Sequence, residues 1–150
     1  IRRERNGGVG AAVISGYKAA LEDNAEIIVK IDGDGQMAPQ LIPNFIKPIY
    51  ENRADFIKGN RFYDLKSVSG MPLVRIIGNS MLSFINKLSS GYWNLFDPNN
   101  GFTAIHANVL KLIPMEKLNK RFFLEADMLF RLSTIRAVVK RYSNGFGLRR

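Results

Sequence analysis

The chain has 150 residues, a formal net charge of +9 and no cysteine. This length fits one domain, and an apolar content of 46% is enough to form a core. The absence of cysteine excludes disulfides and thiolate metal sites, which fits a reducing compartment. Within these 150 residues we expect neither a membrane-spanning run nor a signal peptide. The excess of positive charge favours anionic partners such as nucleic acid, acidic lipid surfaces or phosphorylated substrates.

A glycine-rich segment opens the first predicted helix. Apolar residues from Ala11 to Leu21 recur at helical spacing, and Asp23 with Asn24 is expected to end the helix. A strand over residues 26–31 follows, because this run is rich in β-branched residues and shows no alternation. Such a strand is typical of a sheet that is covered on both faces.

Two acidic residues stand directly after this strand, in the run Asp32-Gly33-Asp34-Gly35-Gln36. In open α/β sheets, ligands bind at the carboxyl ends of the strands. Two carboxylates and the Gln36 amide are oxygen ligands that suit Mg²⁺ or Mn²⁺, and the glycines allow a tight turn around a bound group. Asp-Gly pairs are also common in turns, so an ordinary loop is the alternative at this point.

The rest of the chain alternates helices and strands. Pro39 is expected to open a second helix, which Pro48 bends or ends. The apolar pattern predicts strands at residues 54–59 and 102–106, and helices at 73–88, 107–113 and 122–136. This alternation predicts an α/β layered domain with a mostly parallel central sheet, in which residues 27–31 form a core strand.

Five polar or glycine-rich motifs follow the predicted strands or open the predicted helices. They are, in chain order, Asn6-Gly7-Gly8-Val9-Gly10-Ala11-Ala12, Asp32-Gly33-Asp34-Gly35-Gln36, Gly59-Asn60-Arg61-Phe62, Asp97-Pro98-Asn99-Asn100-Gly101-Phe102 and Phe123-Leu124-Glu125-Ala126-Asp127-Met128-Leu129. Their order and spacing over residues 6–139 resemble those of inverting family-2 glycosyltransferases, particularly the polyprenyl-phosphate mannose and glucose synthases. The resemblance implies an α/β sandwich of the glycosyltransferase A type, which is Rossmann-like.

The resemblance also implies a donor site that contains a metal ion. A nucleotide-diphosphate sugar would be bound through Mg²⁺ or Mn²⁺ held by Asp32, Asp34 and Gln36, with Asp32 also close to the ribose. The ion would act as a Lewis acid and offset the charge that grows on the leaving nucleoside diphosphate. Asp97 or Glu125 would be the catalytic base when the acceptor is a hydroxyl group of a glycan.

In the polyprenyl-phosphate branch, the acceptor is already an anion and needs no strong base. Arg61 and Arg75 match basic positions of that branch, and a guanidinium binds phosphate oxygens bidentately. Asn100 stands where the family usually has serine, and its amide is expected to keep a hydrogen bond to substrate. An anionic membrane surface is a further expected contact, which would place the intact protein in the cytoplasm at the inner face of the membrane.

The chain begins at Ile1 rather than Met, and two opening motifs of the family, "P-x-Y/F-N-E" and "D-D-x-S-x-D", are absent from it. We therefore expect residues 1–150 to be a partial glycosyltransferase catalytic domain, incomplete at the N-terminus. One alternative is a catalytically incomplete fragment that acts only as a binding module. Another is a nucleotidyltransferase, which would also use paired acids and a metal.

A basic nucleic-acid-binding domain is a further alternative because of the charge. However, acids at strand ends repel phosphate unless a metal intervenes, and the chain lacks a regular basic-aromatic pattern. Nucleic acid is therefore not expected as a partner.

Several residues also have a purely structural interpretation. For the basic residues at 1–5, 58–61, 75, 117–121 and 140–150, a solvated surface is the alternative to a role in the site. The single histidine, His106, is interpreted as structural because no ligand partner lies near it in the sequence. For Glu125 and Asp127, a solvated helix face is the alternative to a role in the site.

Overall fold

The structure is a computed structural model that describes residues 6–33, 39–59, 91, 101–121 and 123–142. Its elements, in chain order, are α1 (Val9–Glu22), β1 (Ile27–Lys30), a 3₁₀ turn (Pro39–Leu41), α2 (Ile42–Tyr50), β2 (Phe56–Lys58), β3 (Thr103–His106), α3 (Ala107–Lys111), a second 3₁₀ turn (Met115–Lys117), α4 (Leu124–Thr134) and β4 (Val139–Arg141). Among the described helices, none combines the length and the apolar character needed to traverse a membrane.

The four strands form one mixed sheet in the order β1-β3-β2-β4. Strand β3 is antiparallel to both β1 and β2, whereas β4 is parallel to β2. Consequently β1, β2 and β4 point the same way and their carboxyl ends share one end of the sheet. The predicted mostly parallel sheet is corrected to a mixed one, in which β1 lies last in the described order. An apolar run does not encode the direction of the neighbouring strand.

Apolar layers cover both faces of the sheet. On one face, α1, α3 and α4 pack through a core that includes Ile14, Ile28, Phe56, Ile105, Leu110 and Met128. On the other, α2 packs through Phe45, Ile49, Ile57 and Ala104, and the ring of Phe45 stacks on that of Phe102 with centroids 4.0 Å apart. In β1, Ile28 belongs to the first core while Ile27 and Val29 pack against the second. The prediction that this strand is covered on both faces is confirmed.

The helix boundaries follow local chemistry. Helix α1 ends as predicted, since the Asp23 N–H donates to the Ala19 carbonyl at 2.9 Å and Asn24 takes a φ of 58°. Pro39 opens a 3₁₀ turn that leads into α2. Pro48 lies inside α2 and does not end it, because the helix continues to Tyr50.

The C-terminal part differs from the prediction in two ways. Helix α4 ends at Thr134, before Arg136, which has a φ of 55°. The sequence does not indicate strand β4, because its three residues do not form an apolar run. The first and last of them are only half-buried, and the middle one is exposed. The residue before the strand is held by a hydrogen bond in which Asp55 Oδ2 accepts the Val138 N–H at 2.7 Å. The predicted helix at residues 73–88 lies outside the described residues.

Candidate active site

A row of polar residues crosses the sheet at the end where β1 and β2 finish. The register places Lys30 beside Thr103, Thr103 beside Lys58 and Lys58 beside Arg141. The apolar row two residues earlier is Ile28, Ile105, Phe56 and Val139, all of which belong to the first core or pack against it. Since side chains two apart share a face, the polar row borders that core directly.

Glu125 projects from α4 into this row and pairs with both lysines. Its Oε1 accepts a hydrogen bond from Lys30 Nζ at 2.6 Å, and its Oε2 lies 3.8 Å from Lys58 Nζ. The side chain of Lys58 is 1% exposed and those of Lys30 and Glu125 are 13% and 15% exposed. Charges this deeply buried are tolerated only when they are paired. The solvated-face alternative for Glu125 is therefore wrong, and so is the solvated-surface interpretation of Lys58.

Asp32 completes the cluster from the segment that follows β1. Its Oδ1 lies 3.1 Å from Lys30 Nζ, so the same ammonium contacts Asp32 and Glu125. On another side the carboxylate presses against Gly101, where an added Cβ would overlap all three carboxyl atoms. Gly101 thus provides the space that Asp32 occupies, and any side chain at position 101 would displace the acid.

Two hydroxyl groups lie beside the charged cluster. Burial raises the pKa of the Tyr17 phenol well above its usual range and the Glu125 carboxylate raises it further, against a hydrogen bond with Thr103 that lowers it. For Lys30, burial lowers the pKa, but the opposing attraction of Glu125 and Asp32 prevails and raises it above the ordinary value. The ammonium therefore stays charged and the phenol neutral at physiological pH.

Asp127, the second acid of α4, lies outside this cluster and binds the loop before the helix. Asp127 Oδ2 accepts the Asn119 N–H at 2.9 Å, and its Oδ1 accepts from Arg131 Nε at 2.9 Å. The loop that it fixes lies against the start of α1, where the Ala11 N–H donates to the Lys120 carbonyl at 3.1 Å. A Cβ on Gly10 would lie only 2.5 Å from the Asn119 carbonyl. The glycine-rich motif therefore makes a close backbone contact with the loop before α4.

The described residues hold only part of the predicted site. Asp32 and Glu125, both predicted, are brought together through Lys30. The other candidates, Asp34, Gln36, Arg61, Arg75, Asp97 and Asn100, lie outside the described residues. Sequence reasoning missed Lys30, Lys58, Tyr17, Thr103 and Gly101 as parts of the cluster. One feature of the sequence could have indicated Lys30 and Lys58, because each lies near the end of a strand that the apolar pattern predicts. A side chain at such a position is expected to be at least partly buried.

The described donor set is compatible with the predicted metal but does not form a complete site. Asp32 supplies a hard carboxylate whose side chain is 40% exposed at the end of β1, and carboxylate oxygen is the donor that Mg²⁺ and Mn²⁺ prefer. Within residues 6–33, 39–59, 91, 101–121 and 123–142, no three His, Cys, Asp or Glu side chains gather as a metal cluster. A metal there would need Asp34 and Gln36 in addition.

The opposite end of the sheet holds a concave region of about 390 Å³. Asn24, Glu26, Asn52, His106 and Lys111 contribute its polar lining. The Nδ1 of His106 accepts the Asn108 N–H at 3.1 Å and so caps α3, which agrees with the structural interpretation of this histidine.

Comparison with known proteins identifies the family. The model of glycosyl transferase family 2 matches residues 1–113. The chain is 38% identical over 122 residues to the UDP-N-acetylglucosamine–dolichyl-phosphate N-acetylglucosaminyltransferase of Methanococcus voltae, covering 81% of this chain and 48% of that protein. It is 26% identical over 136 residues to the undecaprenyl-phosphate mannosyltransferase of Micrococcus luteus, covering 90% of this chain and 55% of that protein.

A third relative is the dolichol-phosphate mannosyltransferase of Pyrococcus furiosus, 26% identical over 126 residues, which cover 83% of this chain and 35% of that protein. The chain spans about half the length of several of the curated relatives it matches. The mixed sheet between helical layers agrees with the predicted glycosyltransferase A-type fold. The chain belongs to glycosyl transferase family 2.

Proposed function

We propose that this chain is the sugar-transferring part of an enzyme that moves a sugar from a nucleotide-diphosphate sugar to a polyprenyl phosphate, with inversion and with the help of Mg²⁺ or Mn²⁺. The observation that carries the proposal is the contact of one ammonium, that of Lys30, with both Asp32 and Glu125. These two acids come from motifs far apart in the chain, and they meet at the end of the sheet where ligands of α/β proteins bind.

The relatives supply the class of donor and acceptor. The Methanococcus voltae protein is named for a UDP-sugar donor and a dolichyl-phosphate acceptor, and two others are named for undecaprenyl phosphate and dolichol phosphate. We carry this donor class and this acceptor class to the present chain as a proposal. The net charge of +9 supports an anionic acceptor and an anionic membrane surface as partners.

The metal would be held by Asp32, Asp34 and Gln36. When bound, it supplies Lewis-acid stabilisation of the leaving diphosphate. The contacts of Asp32 support such a role, because Lys30 and Gly101 restrict its carboxylate from two sides. A fixed carboxylate costs less entropy to bind a cation than a mobile one.

The contacts of Glu125 bear on the choice of acceptor. Lys30 Nζ lies 2.6 Å from its Oε1 and Lys58 Nζ lies 3.8 Å from its Oε2, so both carboxylate oxygens are already engaged within the cluster. This favours an acceptor that is itself an anion, such as a lipid phosphate, over a sugar hydroxyl that needs Glu125 as the general base. Arg61 and Arg75 remain the proposed ligands of that phosphate, and Asp97 remains the base proposed for a glycan acceptor.

Binding and transfer by the intact protein test this proposal. Calorimetry with Mn²⁺ and UDP is expected to show binding that Asp32→Asn weakens by about tenfold or more. Asp127→Asn serves as the matched control, because it neutralises a half-buried acid outside the cluster. Equal affinity in the wild type and Asp32→Asn would contradict the donor site.

The acceptor is tested with radiolabelled sugar donors and polyprenyl phosphate. Label that partitions into the organic phase supports the lipid acceptor, and Arg75→Ala is expected to raise the acceptor KM or to lower kcat. Label confined to the aqueous phase would indicate a glycan acceptor instead. Absence of transfer from every donor would favour a binding module.

A further inference from the structure

The acid on α4 is linked to the acid after β1 by a single side chain. The Lys30 ammonium lies 2.6 Å from Glu125 Oε1 and 3.1 Å from Asp32 Oδ1. Side-chain exposure is 40% at Asp32 but only 13% at Lys30 and 15% at Glu125. The accessible carboxylate is therefore tied to a buried carboxylate through one cation.

The Lys30 ammonium contacts both acids at once. An ammonium has three donors on a flexible stem and takes the direction that its acceptors impose. The contact of Lys30 with Glu125 is shorter than its contact with Asp32, and Glu125 is the more buried of the two acids. Glu125 is fixed in turn by its place on α4 between the core residues Leu124 and Met128. Glu125 thus determines where the Lys30 charge stands.

The Asp32 carboxylate contacts Gly101 by packing alone. Its carboxylate fills the space beside Gly101 that any Cβ would occupy. A displaced ammonium would let the carboxylate leave this contact, because the backbone of Gly101 bears no charge to hold it.

We infer that Glu125 is a positioning residue, which holds Lys30 and through it orients the Asp32 carboxylate toward the bound nucleotide sugar. The inference rests on the proposed function for what Asp32 faces, but the coupling from Glu125 to Asp32 exists without any ligand. A merely structural role, in which Glu125 only neutralises buried lysines, predicts lower stability and an unmoved Asp32.

The ligand-free test uses the Gly101 amide as a reporter of the Asp32 carboxylate. In ¹H–¹⁵N spectra of the whole chain, Asp32→Asn defines the shift that a changed carboxylate produces at Gly101. We expect Glu125→Gln and Lys30→Met each to shift the same resonance, and Asp127→Asn, on the same helix, to leave it in place. In the Asp32→Asn background, Glu125→Gln should add no further shift. A Gly101 resonance that Glu125→Gln leaves unchanged would overturn the inference.

A binding test adds the functional consequence. With Mn²⁺ and UDP as the probe, Glu125→Gln is expected to weaken binding by about tenfold, the size typical of residues that orient a metal ligand. Lys30→Arg, which keeps the cation, should recover part of the affinity lost in Lys30→Met. An unchanged dissociation constant in Glu125→Gln, alongside normal wild-type binding, would contradict the positioning role.

The two tests separate this inference from the proposed function. If the wild type binds no Mn²⁺ and UDP while Glu125→Gln still shifts Gly101, the proposed donor site is wrong and the coupling stands. If the wild type binds and Glu125→Gln changes neither readout, the donor site stands and the coupling is wrong.

Discussion

Glu125 and Asp127 stand two residues apart on α4 but belong to regions of opposite character. The strand-end cluster around Glu125 buries two lysines against the apolar core. The loop contact around Asp127 pairs with Arg131 and with one backbone N–H, and its ion-pair partners are each 22% exposed. In the first region Lys58 is 1% exposed, so water cannot replace its carboxylate, whereas both ion-pair partners of the second region keep some contact with solvent. We therefore expect the carboxylate to contribute more to stability in the first region than in the second.

Removing each acid should reveal that difference most directly. Glu125→Ala removes a carboxylate that Lys30 and Lys58 both approach, and we expect the free energy of unfolding to fall by about 3–5 kcal/mol. Asp127→Ala loses a partly exposed ion pair and a hydrogen bond, and we expect a loss of about 1 kcal/mol.

Urea unfolding followed by circular dichroism measures both changes. The combined Lys58→Met and Glu125→Leu replacement should lose less than Glu125→Ala, because it removes a buried charge together with its partner. Similar losses in Glu125→Ala and Asp127→Ala would refute the contrast between the two regions.

The loop region can be probed from its other side through two glycines of α1. Gly10→Ala brings a Cβ within 2.5 Å of the Asn119 carbonyl, so we expect a loss of about 1–3 kcal/mol from overpacking. Gly16→Ala is the matched control, since nothing lies within 4 Å of its added Cβ. It should stabilise the helix by about 0.5–1 kcal/mol. Thermal and urea unfolding of the two variants provide the comparison, and a stabilised Gly10→Ala would show that the loop does not press on α1.

The smallest expected effect is the alkaline response of Tyr17 beside the strand-end cluster. Its pKa is raised in the folded state, so the associated stability is full below about pH 10 and is lost as the pH rises above that value. Between the pKa values of the unfolded and the folded state, the free energy of unfolding falls by at most about 1.4 kcal/mol per pH unit because of Tyr17. Tyr17→Phe should remove this contribution to the pH dependence. The absorbance of tyrosinate near pH 11 should be the same in the folded wild type and in folded Tyr17→Phe, because Tyr17 stays protonated there and adds nothing to it. A smaller tyrosinate absorbance in Tyr17→Phe, with both proteins folded, would contradict the assignment.

Much of the local structure could be predicted from the sequence, but the contacts between residues far apart in the chain could not. The helical spacing from Ala11 to Leu21 and the β-branched run before Asp32 indicate α1 and β1 nearly to the residue. Strand β4 escapes prediction because the hydrogen bonds that secure it come from distant residues, Asp55 among them. The burial of Lys58 could not be predicted for the same reason. A lysine is expected to be exposed to solvent unless a carboxylate is known to lie near it, and Glu125 is distant in the sequence.

The candidate site was likewise predicted only in part. The motif resemblance indicated Asp32 and Glu125, because family motifs preserve residue type and order. It did not indicate Lys30, which links them, or the space at Gly101 that Asp32 fills. Those features depend on the register of β1, β3 and β2, which becomes visible only when the strands are paired.

The separation of Lys30 from Glu125 by 95 residues has a consequence for synthesis on the ribosome. Strands β1 and β2 emerge long before α4, so their terminal lysines await a carboxylate that has not yet been made. A charged lysine at a strand end discourages edge-to-edge pairing with other chains. We expect these lysines to protect the nascent sheet from aggregation until α4 arrives, after which the same residues become part of its interior.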